Sequence, residues 1–180
     1  MTIKVLEKTE GCLPRIIKKG DWIDLTTACD VVLTGPYAET LYHIKHNGKD
    51  KEEKRDRVRH VVFTHCLIPL GVAMELPKGC EAIVAPRSST FTKWGIIQSN
   101  SEGIIDNSYS SDKDEWKMPV IPFREVVIPK GTRIAQFRIQ LSQKATMWQK
   151  IKWLFSSSVK IKQVDSLDNP ERGGFGSTDK

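Results

Sequence analysis

Short segments of β-branched and apolar residues recur along this chain, separated by Gly, Pro, Asn and Asp, and this pattern constrains the fold more than any other feature. The predicted strands are Ile3–Leu6, Trp22–Leu25, Val31–Leu33, Val61–Ile68, Glu81–Val84, Val126–Ile128 and Ile134–Leu141. In the last segment, apolar Phe137 and Ile139 alternate with polar Arg138 and Gln140, which is typical of a half-buried strand. Many short strands with little helix predict an all-β sandwich or barrel, of which a jelly roll is one form.

The size and composition of the chain suit one ordinary domain. Its 180 residues are enough to bury a core, and a hydrophobic content of 39% with 28% charged residues is typical of a globular protein in water. Residues 1–10 lack the apolar region of a signal peptide, and the apolar runs are too short to cross a membrane. We therefore expect a cytoplasmic protein without a membrane partner.

The net charge of +6 is compatible with a nucleic acid or with a polyanionic nucleotide as partner. Because the basic residues are dispersed among acidic ones, composition alone does not decide between the two, and we expect no nucleic-acid partner. The sequence contains no Gly-x-x-x-x-Gly-Lys or Gly-x-Gly-x-x-Gly loop, which disfavours P-loop and Rossmann folds. The scattered cysteines, which we expect to be small buried hydrophobes, are Cys12, Cys29, Cys66 and Cys80.

Two segments resemble additions to a β core. Leu41–His46 and Val61–Cys66 are predicted to pair as a long hairpin with Asn47-Gly48 at its tip. The mixed charges of Lys49–Arg59 favour a solvated tip, and a surface arm for a partner is the alternative.

The second addition is a predicted helix over Ala145–Phe155. Its apolar face comprises Met147, Trp148, Ile151, Leu154 and Phe155, and its polar face comprises Gln149, Lys150 and Lys152. We expect the apolar face to pack on the protein's own barrel or on a neighbouring subunit, with docking to a membrane or a regulator as the alternative.

Histidines cluster around the predicted hairpin, next to Cys66. They are His43, His46, His60 and His65. Imidazole and thiolate are the usual zinc ligands, but alternation along two strands would divide these residues between opposite faces. The sequence therefore disfavours a zinc site.

Two polar motifs follow each other closely in the middle of the chain. Pro86-Arg87-Ser88-Ser89-Thr90 offers a guanidinium fork that can neutralise phosphate oxygens. In the next segment Asn100, Asp106 and Tyr109 could converge on one small polar ligand if the segment forms a β-hairpin. The two motifs resemble the Pro-Arg-Ser-Ser/Gly and Asn-x-x-Gly-φ-Ile-Asp-x-x-Tyr motifs (φ apolar) of the homotrimeric dUTPases, the dUTP pyrophosphatases.

Three further motifs resemble that family in the same order. Gly20–Leu25 is similar to Ala-Gly-x-Asp-Leu, with Trp22 where the motif has a small residue and Ile23 at its variable position. Gly131–Gln136 matches Gly-x-Arg-Ile-Ala-Gln. Glu171–Thr178 is similar to Arg-Gly-x-Gly-Gly-Phe-Gly-Ser-Thr but is shorter. The resemblance therefore covers almost the whole chain apart from the two additions.

The resemblance implies a distorted jelly-roll barrel over residues 1–166, with a hairpin insertion at about 41–66 and a helical insertion at about 144–158. Residues 167–180 would form a flexible C-terminal lid. The implied activity is the Mg²⁺-dependent hydrolysis of dUTP to dUMP and pyrophosphate, at sites shared between the subunits of a homotrimer.

The resemblance also implies roles for individual residues. Asp106 would accept the proton of the attacking water, Asn100 and the backbone around it would bind the uracil edge, and Tyr109 would pack beneath the deoxyribose. Arg87 and Ser88 would stabilise charge on the phosphates. The further substrate-binding positions are Ser89, Gly103, Ile105, Gln136 from a neighbouring subunit, Arg172, Phe175, Gly176, Ser177 and Thr178. Asp24 would orient a magnesium-bound water, and Arg133 is interpreted as a structural ion-pair residue.

Two other functions compete with this interpretation. A dCTP deaminase of the same fold requires a glutamate ten residues after the aspartate, where this chain has Trp116, and adjacent Glu115 would point to the opposite face of a strand. A regulatory protein could instead bind a partner through the hairpin and the helix, with nucleotide as a switch.

Overall fold

The protein is built from short paired strands, as the sequence predicts, in a computed structural model that describes residues 1–18, 20–45, 54–156, 158–172 and 174. For residues 41–45 and 54–58 the description covers the backbone alone. The strands are β1 (Thr2–Glu7), β2 (Arg15–Ile16), β3 (Ile23–Thr26), β4 (Val31–Leu33), β5 (Tyr37–Lys45), β6 (Lys54–Val62), β7 (Cys66–Pro69), β8 (Val72–Glu75), β9 (Cys80–Pro86), β10 (Ile96–Gln98), β11 (Gly103–Ile105), β12 (Lys117–Pro122), β13 (Val126–Ile128), β14 (Arg133–Leu141) and β15 (Lys160–Val164). The helices are α1 (Thr90–Trp94) and α2 (Met147–Leu154).

The largest sheet among the described residues has five strands in the order β11-β9-β14-β3-β2. Two three-stranded sheets have the orders β15-β1-β8 and β10-β12-β7, and β13-β4 and β5-β6 form two-stranded ribbons. Only β1 and β15 run parallel among these described pairs. The predicted all-β, jelly-roll-like architecture is confirmed.

The core lies where the sheets face each other. On β14 the side chains of Phe137 and Ile139 are buried while Arg138 is exposed, which confirms the alternation seen in the sequence. The indole ring of Trp116 meets the ring of Phe137 edge to face, with ring centroids 5.2 Å apart, and both side chains are inaccessible to solvent. This aromatic pair fixes the spacing between the sheets at their centre.

Several strand predictions need correction. The predicted strand Val61–Ile68 is two strands, because β6 ends at Val62 and β7 begins at Cys66. The chain changes partner there: β6 pairs with β5, whereas β7 pairs with β12. Strands β2, β8, β10, β11, β12 and β15 were not predicted, since they are short or, like β12, contain prolines that mask the pattern.

The predicted hairpin exists, but its register differs from the prediction. Tyr37 pairs with Val62, and the ladder continues to Lys45 and Lys54. Segment 61–66 is therefore not the partner of segment 41–46, because only its first two residues join the hairpin. The predicted turn at Asn47-Gly48 lies outside the described residues.

Helix α2 is confirmed, but it presents a different face to the barrel. Its Thr146 cap accepts a hydrogen bond from the amide of Gln149, whose side chain in turn accepts one from the amide of Thr146. The side chain of Gln149 lies over Gly79, and Trp153, one turn further, packs against the core. The predicted apolar face is exposed instead: the exposed residues are Met147, Trp148, Ile151, Leu154 and Phe155.

The capping network explains why the prediction chose the wrong face. It fixes the rotation of α2 through Gln149, so the position that breaks the apolar pattern, Trp153, is the one that faces inward. Within the described part of the chain, neither helix is long and apolar enough to cross a membrane.

The cysteines are free thiols. Cys12 and Cys80 are buried as expected, but Cys29 is exposed. Burial raises the pKa of the Cys66 and Cys80 thiols, which keeps them protonated and unreactive at neutral pH. The described side chains contain no cluster of three or more metal-binding residues, and the side chains of His43 and His46 lie outside the described set.

Phe137→Ala tests the central aromatic pair. Truncation leaves a cavity against Trp116, so we expect the free energy of unfolding to fall by about 3–5 kcal/mol in urea denaturation. The matched control is Phe155→Ala, whose side chain is 81% exposed and whose loss is expected to cost within about 0.5 kcal/mol. Equal losses in the two variants would contradict this assignment of the core.

Candidate active site

One group of predicted residues lies together where β3, β14 and β9 run side by side. Asp24 of β3 is level with Gln136 of β14, which is level with Ala85 of β9. Arg87 follows the end of β9, and the side-chain amide of Gln136 donates to the carbonyl of Pro86 at 3.3 Å. We call Asp24, Arg87, Ser88, Arg133 and Gln136 the cationic cluster.

A buried carboxylate organises the cationic cluster. Asp24 Oδ1 accepts a hydrogen bond from Arg87 Nε, and Asp24 Oδ2 accepts one from Arg133 Nη1, each at 2.9 Å. The Asp24 side chain is 4% exposed, whereas both guanidinium groups reach solvent. One carboxylate shared between two cations leaves a net positive charge at the surface, and Arg87 keeps its terminal nitrogens for an anionic ligand.

The loop after Arg87 is held by backbone contacts. The hydroxyl of Thr90 donates to the carbonyl of Ile134, and the amide of Arg87 donates to the same carbonyl. The short helix α1 begins immediately after Ser89 and ends at Gly95, which adopts a left-handed conformation at φ 64°. Ser88 is exposed beside Arg87, where its hydroxyl can reach a ligand bound by the guanidinium group.

The second group of predicted residues surrounds β11, on the other side of β9. Asn100 lies in the turn between β10 and β11, Gly103 and Ile105 lie in β11, and Asp106 follows it directly. The amide of Tyr109 donates to the carbonyl of Asp106 at 3.2 Å, closing a turn. We call these five residues the carboxylate cluster.

Asp106 is held as an ionised carboxylate. Its Oδ1 accepts hydrogen bonds from the amide and hydroxyl of Ser108 at 2.8 and 2.5 Å, and its Oδ2 pairs with Arg172 Nη1 at 2.9 Å. Partial burial alone would raise the pKa of Asp106, but the Ser108 hydrogen bonds and the Arg172 charge outweigh it and hold the pKa below its ordinary value. Asp106 is therefore an ionised acceptor at neutral pH, and release of Arg172 would free Oδ2 and make the carboxylate more basic.

The neighbours of Asp106 are firmly anchored. The side-chain amide of Asn107 donates to the carbonyls of Leu76, Pro77 and Cys80 at 3.1–3.3 Å. The Tyr109 hydroxyl donates to the carbonyl of Glu115, and burial raises the pKa of this phenol, so it stays neutral. The ring therefore offers a fixed, uncharged surface beside Asp106.

The C-terminal segment lies on the carboxylate cluster of its own chain. Arg172 pairs with Asp106, Glu171 pairs with Lys113 at 3.0 Å, and Gly174 lies so close to Tyr109 that a Cβ atom on it would be 2.9 Å from the ring. Phe175, Gly176, Ser177 and Thr178 lie outside the described residues. In this arrangement Arg172 contacts the predicted base and not a phosphate-binding residue.

Asp106 and Arg87 lie at opposite ends of β9. In β11, Gly103 pairs with Val84 and Ile105 with Ala82, so Asp106 lies level with Glu81. Arg87 follows the other end of the strand, about 20 Å away at about 3.3 Å per residue. The side chains of Asp106 and Arg87 of one chain are therefore too far apart to contact the same small group.

The sheet register brings Gln136 beside Arg87 in the same chain, so one subunit holds both residues. That Gln136 binds the phosphates of a ligand at a neighbouring subunit's residues stays a prediction.

The surroundings of Asp24 do not fit a resident magnesium ion. Both of its oxygens are bound by arginine side chains, and the adjacent cations would repel Mg²⁺. A water-mediated contact of Asp24 with magnesium stays a prediction.

Three residues near the clusters were not assigned from the sequence. Ser108 orients Asp106, Asn107 anchors the turn, and Gln98 donates to Asn100. Ser108 and Asn107 lie inside the predicted motif at its variable positions, so only the fold reveals their contacts. The interpretation of Arg133 as an ion-pair residue is confirmed by its contact with Asp24.

The positions relevant to a deaminase are structural. Trp116 is buried in the core, and the carboxylate of Glu115 accepts a hydrogen bond from the amide of Gly71 at 3.1 Å. Neither residue supplies a proton shuttle beside Asp106.

An all-β barrel with cations at one cluster and an ionised carboxylate at the other suits a hydrolase of phosphorylated ligands. A model of the dUTPase family matches residues 54–178. The SPbeta prophage-derived deoxyuridine 5′-triphosphate nucleotidohydrolase of Bacillus subtilis (strain 168) is 40% identical over 176 residues, which cover 98% of this chain and 95% of the relative. The chain therefore belongs to the dUTPase family.

Other relatives and solved structures agree with this assignment. The deoxyuridine 5′-triphosphate nucleotidohydrolase of Hydrogenobaculum sp. (strain Y04AAS1) is 38% identical over 120 residues, covering 64% of this chain and 72% of the relative. The dUTPase of Streptococcus mutans has a similar fold, with a TM-score of 0.59 at 18% identity over 81% of this chain and 99% of that one. The dUTPase of phage phi11 of S. aureus, which coordinates a structural Mg(II) ion, has a TM-score of 0.57 at 16% sequence identity. The match covers 82% of this chain and 95% of the phage protein.

Ser108→Ala tests the electrostatics of the carboxylate cluster. The Ser108 hydroxyl lowers the pKa of Asp106, so its removal should raise that pKa and move the acid limb of the kcat/KM profile to higher pH. Ser108→Thr keeps a hydroxyl and should leave the limb near its wild-type position. An unchanged acid limb in Ser108→Ala would show that Asp106 is not the group whose ionisation limits the rate.

Proposed function

We propose that this chain hydrolyses dUTP to dUMP and pyrophosphate at sites assembled from different copies of the chain. Membership of the dUTPase family supplies the reaction, since its members are deoxyuridine 5′-triphosphate nucleotidohydrolases. The observation that carries the assembly is the separation of the cationic and carboxylate clusters along β9. One cluster would bind the triphosphate, and the other would activate the attacking water.

The cationic cluster would bind the triphosphate. Arg87, held through Nε by Asp24, presents its terminal nitrogens to phosphate oxygens, and the amide of Gln136 lies beside it. The Ser88 hydroxyl would donate to the oxygen between the α- and β-phosphates, where negative charge grows as the bond breaks. Ser89, the residue before helix α1, lies in the same loop and would be a further phosphate contact.

The carboxylate cluster would position the attacking water and accept its proton. Asp106 would hold a water against the α-phosphorus and accept its proton. Arg172 must first leave Asp106 Oδ2, because that oxygen is occupied while the ion pair exists. No covalent intermediate is needed, since positioning and charge stabilisation account for catalysis.

The nucleoside would bind around β11. Asn100 and the backbone near Gly103 and Ile105 would pair with the uracil edge, and the ring of Tyr109 would lie beneath the deoxyribose and leave no space for a 2′-hydroxyl. Mispaired bases are rejected because their polar groups would be buried without partners.

We propose Mg²⁺ as the cofactor, bound together with the triphosphate and not at a resident site. The ion would offset phosphate charge. Support comes from membership of the dUTPase family and from the poor fit of Asp24 to a resident ion, since both of its oxygens are bound by arginine side chains.

We propose a homotrimer, in which each site combines the cationic cluster of one copy with the carboxylate cluster of another. The C-terminal segment, with Arg172, Phe175, Gly176, Ser177 and Thr178, would then close over the bound nucleotide. The proposal includes a cytoplasmic location, with neither nucleic acid nor membrane as partner. A partner protein bound through the hairpin and α2 stays a prediction.

Incubation with Mg²⁺ and, in turn, each deoxynucleoside triphosphate and UTP tests the reaction. We expect monophosphate and pyrophosphate from dUTP, and little from dCTP, dTTP or UTP. Asp106→Asn should lower kcat by about 10²–10⁴-fold, because the proton acceptor is lost, while dUTP binding measured by calorimetry persists. A near-normal rate in this variant would remove Asp106 as the base.

Mixing two inactive variants tests the shared site. Arg87→Ala and Asp106→Asn damage different clusters, so subunits exchanged between them should form some sites with both clusters intact, and activity should reappear. Mixing Asp106→Asn with a tagged copy of itself is the control and should stay inactive. If the first mixture also stays inactive although mass spectrometry shows mixed oligomers, each site belongs to one chain.

A further inference from the structure

Gln98, the last residue of β10, has a contact that bears on base selection. Its side chain is buried, with 7% of its surface exposed. The Gln98 Nε2 group donates to the carbonyl of Val84 at 3.1 Å and to Asn100 Oδ1 at 2.9 Å. Gln98 therefore connects the sheet to the residue expected at the uracil edge.

The chemistry of this chain of contacts fixes the orientation of both amides. A backbone carbonyl can only accept, so the Gln98 group facing Val84 must be the amino group. The second hydrogen of that amino group requires an acceptor, so Asn100 must turn its Oδ1 inward. The Asn100 Nδ2 group is then left pointing away from Gln98 as a donor.

The surrounding backbone leaves space for this arrangement. Gly103 lies beside the Gln98 amide, since a Cβ atom there would be in van der Waals contact with Gln98 Nε2 and Val84 Cβ at 3.4 Å. The turn itself is closed by the Glu102 amide, which donates to the carbonyl of Asn100 at 2.6 Å, and Ser101 has a left-handed φ of 59°.

Core packing does not explain an amide at this position. Gln98 Oε1 is buried with no donor among the described residues, which is unfavourable. An apolar residue of similar size would avoid this, but it would lose the two contacts of the amino group, with the carbonyl of Val84 and with Asn100. The contact with Asn100 is the one that reaches the proposed binding site.

We propose that Gln98 is a positioning residue for substrate specificity, which holds Asn100 Nδ2 toward the 4-oxygen of uracil. This inference rests on the proposed binding of the uracil edge by Asn100. Uracil carries an acceptor at position 4, whereas cytosine carries an amino group there. With Asn100 locked as a donor, cytosine would bring two donors together, and dCTP is rejected.

Gln98→Met and Gln98→Glu separate this role from packing. Met has a similar volume and no amide, so Asn100 becomes free to rotate, and the ratio of kcat/KM for dUTP to that for dCTP should fall about tenfold or more. In Gln98→Glu the buried side chain would be the neutral acid, whose hydroxyl donates to the carbonyl of Val84 and accepts from Asn100 Nδ2, so Asn100 turns its Oδ1 outward and the ratio should fall further. Melting temperatures verify that both variants are folded.

The matched control is Gln140→Leu. Gln140 is half-buried in the same sheet and donates to Glu81 Oε1 at 2.7 Å, outside both clusters. This variant should keep the wild-type ratio, so a general loss of sheet stability cannot imitate the expected effect.

A 4-deoxy analogue of dUTP, with hydrogen at position 4, gives a second measurement. The wild type should use it about tenfold or more less well than dUTP, whereas the Met variant should distinguish the two less. Unchanged discrimination in both folded variants would overturn the role of Gln98 while leaving dUTP hydrolysis and the effect of Asp106→Asn intact. If the wild type does not hydrolyse dUTP, the proposed function fails, and the role of Gln98 fails with it.

Discussion

The position of β9 between β11 and β14 determines most of what this protein can do. Antiparallel pairing on one side carries Asp106 to the beginning of β9, and pairing on the other carries Gln136 to its end, beside Arg87. A strand cannot bend back on itself over this length, so Arg87 and Asp106 of one chain face different places. The proposal that a second copy completes the site rests on this backbone geometry.

The charges of the two clusters are also different. The cationic cluster holds two guanidinium groups around one buried carboxylate, so it attracts a polyphosphate and keeps Arg87 in a fixed orientation. In the carboxylate cluster, Asp106 is stabilised in its charged form by Ser108 and Arg172. Because Arg172 pairs with Asp106, the proposed mechanism requires the C-terminal segment to move before catalysis.

The five family motifs could be recognised in the sequence because each combines particular residue types at a fixed spacing. Asn100, Asp106 and Tyr109 do lie around one strand and its flanking turns, as expected. Ser108 and Gln98 could not be recognised in the same way, since a serine in a turn or a glutamine at a strand end is common. Their importance depends on which atom they meet across the sheet.

The sequence by itself determined the fold class and the family, because strand alternation and local motif spacing are properties of neighbouring residues. It also predicted α2, but not the face that α2 presents, since capping by Thr146 and Gln149 and the position of Gly79 set its rotation. Only the tertiary structure decided the hairpin register, the side of β9 on which each cluster lies and the orientation of the Asn100 amide. These features depend on pairing between segments far apart in the chain, which no local pattern encodes.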